Sequence, residues 1–229
     1  MEPSRFPVGV RVSDASPAPA PGRRELVGRH VALVPLDPER DGPDLHAASH
    51  GSGLKEAIWT YLPYGPFESP AAMTAWLREN ALKDDPLFFT VRALAEGARP
   101  VGVTSLLSIV PASRRLEIGH IWYTPSVQRT KLTTEATYLL LCEVFALGYR
   151  RVEWKCNDLN ARSRAAAERF GFRPEGIFRQ HMIVRGHNRD TAWFAMLDGD
   201  WPTVKANFER WLYGEGPQPS LRALNARGT

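Results

Sequence analysis

The chain has 229 residues, 43% of them hydrophobic and 24% charged, and its 29 basic and 25 acidic side chains leave a net charge of +4. That balance excludes an intrinsically disordered chain, while Cys142 and Cys156, the only cysteines, make no disulfide scaffold and fit no zinc spacing. No apolar run approaches the ~20 residues of a membrane span and the positive charge is scattered rather than gathered in a stripe, so neither a membrane nor a nucleic acid is an expected partner and a reducing cytoplasm is the expected location.

In chain order, residues 1–22 carry five prolines among small residues and read as a disordered, Pro-rich arm. The folded domain is expected over 23–213, with a polar tail over 214–229. His30 to Leu36 alternates as a first strand. Asp37 caps a helix with Pro38 at its first position. Leu54–Trp59 and Ala71–Leu82 read as further helices, separated by the aromatic loop Tyr61 to Phe67. Leu87–Leu94, Pro100–Val110 and Arg115–Tyr123, with turn signals between them, predict an antiparallel meander. A helix follows from Thr133 or Thr134 to Leu147, its apolar face formed by Ala136, Leu140, Val144 and Leu147. Arg151–Cys156 is a short strand and Ala161–Phe170 a helix capped by Asn160. Phe172–Val184 and Thr191–Leu197 pair across a turn at Arg185 to Asn188, beside which Arg189 and Asp190 read as an ion pair holding the hairpin. Trp201–Leu212 is the last helix. The class is α+β, a mixed and mostly antiparallel sheet flanked by helices.

One segment carries chemistry. Gly119 to Pro125 runs a strand directly into the segment Ser126 to Ala136, a loop followed by a helix start. A strand, a tight loop and a helix N-terminus present unpaired backbone N–H groups to an anion such as a pyrophosphate, with Arg129 and Lys131 beside it. The same residues also read as a plain helix start, capped by Thr133 or Thr134 with Glu135 in its first turn.

The surrounding stretches are more specific. Glu117-Ile118-Gly119, Gln128 to Ala136, Leu139–Glu153, Asn160 to Ala166, Phe170-Gly171-Phe172, Glu175-Gly176, Arg179 and Arg189-Asp190-Thr191 occur in one order and spacing. In them the chain resembles the GNAT superfamily of acyl-CoA-dependent N-acetyltransferases, and within it the RimJ/RimL-like group that acetylates protein N-termini and small amines. The resemblance covers roughly residues 25–212. It implies acetyl-CoA as co-substrate, no metal, a primary amine (small molecule or protein N-terminus) as acceptor, direct attack without a covalent enzyme intermediate, and often a homodimer. It places the coenzyme against Ile121, Trp122 and Tyr123 on a strand splayed from Val152–Cys156. A backbone N–H of that strand would stabilise the oxyanion. The pyrophosphate falls on Gln128, Arg129, Thr130, Lys131, Leu132, Thr133 and Thr134, and Asn160 and Ser163 fall where relatives contact the pantetheine and sulfur. Arg162, Arg164 and Arg169 are placed on the same helix, either toward coenzyme phosphates or on a solvated face.

A carboxylate, directly or through a water, can take the proton of the attacking amine, and Glu117 is its candidate; Arg115 or another neighbouring basic side chain could instead pair with it. Ser163, then Tyr123, are candidates to protonate the leaving thiolate; His120 and His181 are alternative bases, though a lone strand histidine is more often structural. Trp59, Tyr61, Tyr64 and Phe67 form either the wall of an acceptor pocket or a cluster pinning two helices. One departure stands out: the superfamily loop reads Gln/Arg-x-x-Gly-x-Gly/Ala, and here Lys131 and Thr133 replace both small residues. They would crowd the phosphates, or Lys131 would pair with them. The departure motivates a second reading, a binding or regulatory module that keeps the fold without the reaction.

Overall fold

The computed structural model describes residues 6–51 and 53–226. Eight strands form one sheet, in chain order β1 (Leu26–Val27), β2 (Val31–Pro35), β3 (Leu87–Ala93), β4 (Arg99–Val110), β5 (Arg115–Tyr123), β6 (Arg151–Asn157), β7 (Arg173–Val184) and β8 (His187–Leu197). Their spatial order is β1-β2-β3-β4-β5-β6-β8-β7, antiparallel throughout except for the parallel pair β5–β6. Six α-helices flank it: α1 (Pro38–Ser49), α2 (Pro70–Ala81), α3 (Lys131–Ala146), α4 (Ala161–Arg169), α5 (Trp201–Tyr213) and α6 (Leu221–Asn225).

Local chemistry sets the helix starts. Asp37 accepts hydrogen bonds from the N–H groups of Glu39 and Arg40, both at 3.0 Å, ahead of Pro38; Ser69 caps α2 at Ala72 N (3.1 Å), ahead of Pro70. α3, α5 and the sheet enclose the larger core, which holds Leu116, Ile118, Leu140, Val144, Phe170 and Phe208. On the opposite face α1, α2 and the aromatic loop enclose a smaller core around Trp59, Met73, Leu77, Phe88 and Trp122.

Several expectations need correction. Residues 53–59 form a 3-10 helix (Gly53–Trp59), not an α-helix. α3 begins at Lys131, with Thr130 at the cap position. Thr133 and Thr134 therefore lie in its first turn, where both hydroxyls donate back to the Thr130 carbonyl (3.2 and 3.0 Å) instead of capping. Glu135 does not face solvent: its buried carboxylate accepts from the N–H groups of Arg29 (2.9 Å), His30 (2.6 Å) and Val31 (3.1 Å) and from the Tyr213 hydroxyl (2.6 Å). That clasp ties α3 to the start of β2 and the end of α5. The hairpin turn is only Arg185-Gly186, both at positive φ (51° and 76°) as a tight hairpin turn requires, so β8 starts at His187.

The arm is anchored where it was expected to be loose. Ala18 is buried and donates its N–H to the Pro111 carbonyl (3.1 Å), and Arg114 holds Ser16 O (2.7 Å) and Asp14 (2.6 Å). Residues 1–5 lie outside the described part. In the C-terminal stretch, Ser220 caps α6 and Leu221 is buried beneath it; residues 227–229 are likewise outside the described part.

Candidate active site

β5 and β6 pair at only three positions, Arg115 with Arg151, Leu116 with Val152 and Glu117 with Glu153. Beyond them β5 stays on β4 as far as Tyr123, and β6 stays on β8 as far as Asn157. The two strands diverge, leaving a wedge-shaped gap whose β5 wall, Ile118 to Tyr123, has no partner strand on its inner edge. β5 also carries a bulge: Gly119 to Trp122 oppose only Val103 to Ser105, and His120 takes a positive φ of 50°. The bulge shifts the alternation, so Trp122 points into the smaller core and Tyr123 into the larger one.

At the floor of the gap Lys155 Nζ lies 3.0 Å from both Glu117 Oε2 and Glu153 Oε2. Glu117 is buried, which pushes its carboxyl pKa above the ordinary carboxylate value, and Lys155 opposes that shift. The basic partner of Glu117 is thus Lys155, while Arg115 lies 3.9 Å from Glu153. His120 stacks on Tyr64 (5.5 Å between ring centroids) and lies against Phe88. Burial, then the nearby Arg189 cation, lowers its pKa to about 4, so it is neutral at pH 7.

The two candidate acids lie on the other side of the sheet. Tyr123 packs in the larger core with its hydroxyl at Thr137, and burial raises its pKa, keeping the phenol protonated. The Ser163 hydroxyl accepts from Trp154 Nε1–H (3.0 Å) and meets the Cys156 thiol; Asn160 caps α4 at Ser163 N (3.1 Å). Both cysteines are free, and burial raises both thiol pKa values.

At the open end of the gap lies the N-terminus of α3. Thr130 makes no side-chain cap, so the first-turn N–H groups keep no side-chain acceptor. The Gln128 amide donates to Tyr123 O (2.9 Å) and the Thr130 hydroxyl to Val127 O (2.7 Å), which fixes the loop, and Arg129 is exposed at φ 65°. Lys131 turns away to the C-terminus of α5, where its ammonium binds Leu212 O (2.8 Å). Leu132 packs on the larger core. On α4, Arg164 pairs with Asp158 (2.5 Å), Arg169 binds Thr134 Oγ1 (2.9 Å) between Phe170 and Trp211, and Arg162 is exposed.

The aromatic loop spans the gap on the Glu117 side. Tyr61 donates its hydroxyl to Leu159 O (3.1 Å), just before α4, and Arg185 at the hairpin tip binds the carbonyls of Tyr64 (2.6 Å) and Gly65. Trp59 is a buried support instead of a wall, with its indole N–H on Ser49 O (3.1 Å) and its ring 5.7 Å from Trp122; Tyr64 and Phe67 pack over it.

Residues 30–173 match the family model described as an acetyltransferase (GNAT) domain. The chain belongs to the GNAT acetyltransferase family. A solved GCN5-related N-acetyltransferase from Brucella melitensis is 41% identical, covering 93% of this chain and 99% of that one with a TM-score of 0.88. A relative from Bacillus subtilis (strain 168), named "Putative ribosomal N-acetyltransferase YdaF", is 31% identical over 105 residues, 45% of this chain and 57% of that protein. The chain thus matches little more than half the length of that relative. The solved structure of RimL, named a ribosomal L7/L12 alpha-N-protein acetyltransferase, is 23% identical with a TM-score of 0.65 over 76% of this chain and 94% of that one, and shares the fold.

Within this GNAT domain the expected residues Glu117, Ile121, Trp122, Tyr123, Asn160 and Ser163 all border the β5–β6 gap or its mouth. The sequence reading gave no site role to Glu153, Lys155, Arg189 or Trp193. Their signal was present in part: Arg151-Val152-Glu153-Trp154-Lys155-Cys156 alternates charged and apolar, so one face of a core strand had to carry three charges. The expected Arg189–Asp190 pair does not form. Neighbours on a strand point to opposite faces, and Asp190 accepts from Gln180 N (2.8 Å) and Asn188 Nδ2 (2.9 Å) instead. Among the described residues no three His, Cys, Asp or Glu side chains converge to hold a metal, and no helix is long and apolar enough to cross a membrane.

Proposed function

We propose that this protein transfers an acetyl group from acetyl-CoA to a primary amine by direct attack, in a reducing cytoplasm. The observation that carries the proposal is the opening of β5 from β6 immediately past Glu117, which leaves an unpaired strand edge with a buried carboxylate at its base. Acetyl-CoA supplies the activated acyl group as a thioester. Its pyrophosphate fits the uncapped N–H groups of α3, because neither residue that replaces a family glycine covers them: Lys131 reaches α5 and Thr133 bonds back to Thr130. That fit favours the enzyme over a silent module.

The amine enters on the face of Glu117 and His120. Glu117 takes its proton as the C–N bond forms, the unpaired N–H groups of β5 face the developing oxyanion, and the C–S bond breaks toward Ser163 on the opposite face. Ser163 Oγ accepts from Trp154, and its own proton, which faces the Cys156 thiol, is the one it would turn to the thiolate. Tyr123, with its hydroxyl engaged at Thr137, stands second. The balance is an amine plus a thioester giving an amide plus coenzyme A thiol. Tyr61 and Arg185 hold the aromatic loop across the entrance, which favours a small amine over a protein N-terminus.

Calorimetric titration of the protein with acetyl-CoA at two salt concentrations, followed by an amine panel read by thiol release, tests the proposal. Micromolar binding and turnover of at least one primary amine are expected. No binding would overturn the coenzyme assignment, and binding without turnover of any amine would leave the silent module.

A further inference from the structure

Resting on the N-acetyltransferase reading, a second set of groups on the acceptor side of the sheet bears on which amine the protein takes. In β8 the register sets Trp193 opposite Lys155 and Thr191 opposite Asn157, and alternation places Arg189, Thr191 and Trp193 on the face that carries Glu153 and Lys155. Lys155 Nζ sits 4.0 Å from the centroid of the Trp193 ring, and the Phe178 ring is 4.7 Å from it.

The polar groups of this face are unevenly satisfied. Glu117, Glu153 and Lys155 answer one another. Arg189 does not take part: among the described residues its guanidinium makes no hydrogen bond or ion pair, although it is half-buried and its Nε is wholly enclosed. Trp193 Nε1 is enclosed and unpartnered as well, and so is the Tyr64 hydroxyl on the loop across the gap. Enclosed donors without acceptors cost free energy, and native proteins keep few of them. The pairing of β6 with β5 and with β8 puts Arg189 on the face of the sheet that carries Glu117.

A guanidinium is the side chain best matched to a carboxylate, which it grips with two parallel N–H bonds. We infer that the acceptor is an amino carboxylate, a small primary amine whose carboxylate is held by Arg189 and by the Trp193 indole N–H while its amine faces Glu117. The rings of Tyr64, His120, Phe178 and Trp193 around that position suit an apolar or aromatic side chain on the acceptor. This assigns chemistry to a pair of donors that neither the hairpin nor the core uses.

Three acceptors of one shape test it: phenylalanine, its amide phenylalaninamide, and phenethylamine, which lacks the carboxyl carbon. In the unaltered protein kcat/KM for phenylalanine is expected to exceed that of the other two by about 10–100-fold, the range a site gains from charged hydrogen bonds its competitors cannot make. Arg189→Gln should shrink the phenylalanine-to-phenethylamine ratio about tenfold or more, and Trp193→Phe, which loses the N–H with part of the indole but keeps an aromatic ring, should shrink it by a smaller factor. Equal rates for the three acceptors, or a ratio that Arg189→Gln leaves unchanged, would overturn the inference. Calorimetric titration with N-acetylphenylalanine and N-acetylphenethylamine gives a readout independent of turnover. Preferential binding of the carboxylate form, lost in Arg189→Gln, supports the site even if no amine is acetylated, and equal or absent binding of both rejects it. Absence of all turnover alone would fall on the acetyltransferase reading.

Discussion

With its side chain withdrawn from water, Glu117 holds its proton to a higher pH than an exposed carboxylate, and the Lys155 ammonium 3.0 Å away works against that shift. Only the deprotonated form accepts the amine's proton, so kcat/KM should rise as pH climbs through this raised value. Lys155→Met removes the charge that favours the carboxylate and should move the acidic limb of the pH profile to higher pH. Glu117→Gln should lower kcat by about 100-fold or more, and full activity at every pH would remove Glu117 from the mechanism. The positions of Glu117, Ser163 and Asn160 beside the gap were legible from motif order alone. Lys155, Arg189 and Trp193 were not, because a sequence gives the face on which a strand residue lies but not the groups brought opposite it across a gap.

Among the elements, α3 carries the most consequence. Its first turn presents backbone N–H groups with no side-chain acceptor, and the Lys131 side chain binds the end of α5. Lys131→Met and Lys131→Pro separate the two roles. Both lose the bond to Leu212 O, but only proline deletes an N–H, and it fits the first helical position because Thr130 before it is already extended (φ −100°, ψ 173°). Acetyl-CoA should therefore bind about 3–10-fold more weakly to the proline variant than to the methionine variant at similar melting temperature, which titration and thermal unfolding would measure together. One turn further along, Glu135→Ala would orphan three backbone N–H groups and the Tyr213 hydroxyl, at a cost of about 3 kcal/mol by urea unfolding. The strands β3, β4 and β5 were readable to within a residue because alternation and turn residues agree there. Two-residue β1 is too short for any periodicity, and α6 is a five-residue helix whose place depends on burying Leu221. The burial of Glu135 was not legible because its donors arrive from residues 29–31, far away in the sequence.

At the scale of the whole molecule, the sheet is two leaves joined at a short seam. β1 to β5 form one, β6 to β8 the other, and the site lies where the seam opens. Helix contacts link α3 and α5 beside the seam: Tyr138 of α3 donates to Glu209 of α5 (2.8 Å), and Tyr213 of α5 donates to Glu135 of α3 (2.6 Å). The order of strands made this architecture legible as α+β with a meander, and the parallel crossover through α3 followed from a helix lying between two strands. The opening itself was not readable from periodicity, since nothing in the alternation of β5 or β6 says where their pairing ends.

The same seam orders events on the ribosome. The first leaf is a run of neighbouring antiparallel strands and can close as soon as Tyr123 has emerged, because each strand pairs with the one made just before it. The second leaf cannot: β6 pairs with β8, and β7, made between them, ends at the outer edge. Until residues 151–153 have emerged and reached β5, its whole inner edge stands bare, and that edge is the surface on which a nascent copy is most exposed to pairing with its neighbour on the same messenger; Ile118 to Tyr123 stay unpaired even afterwards.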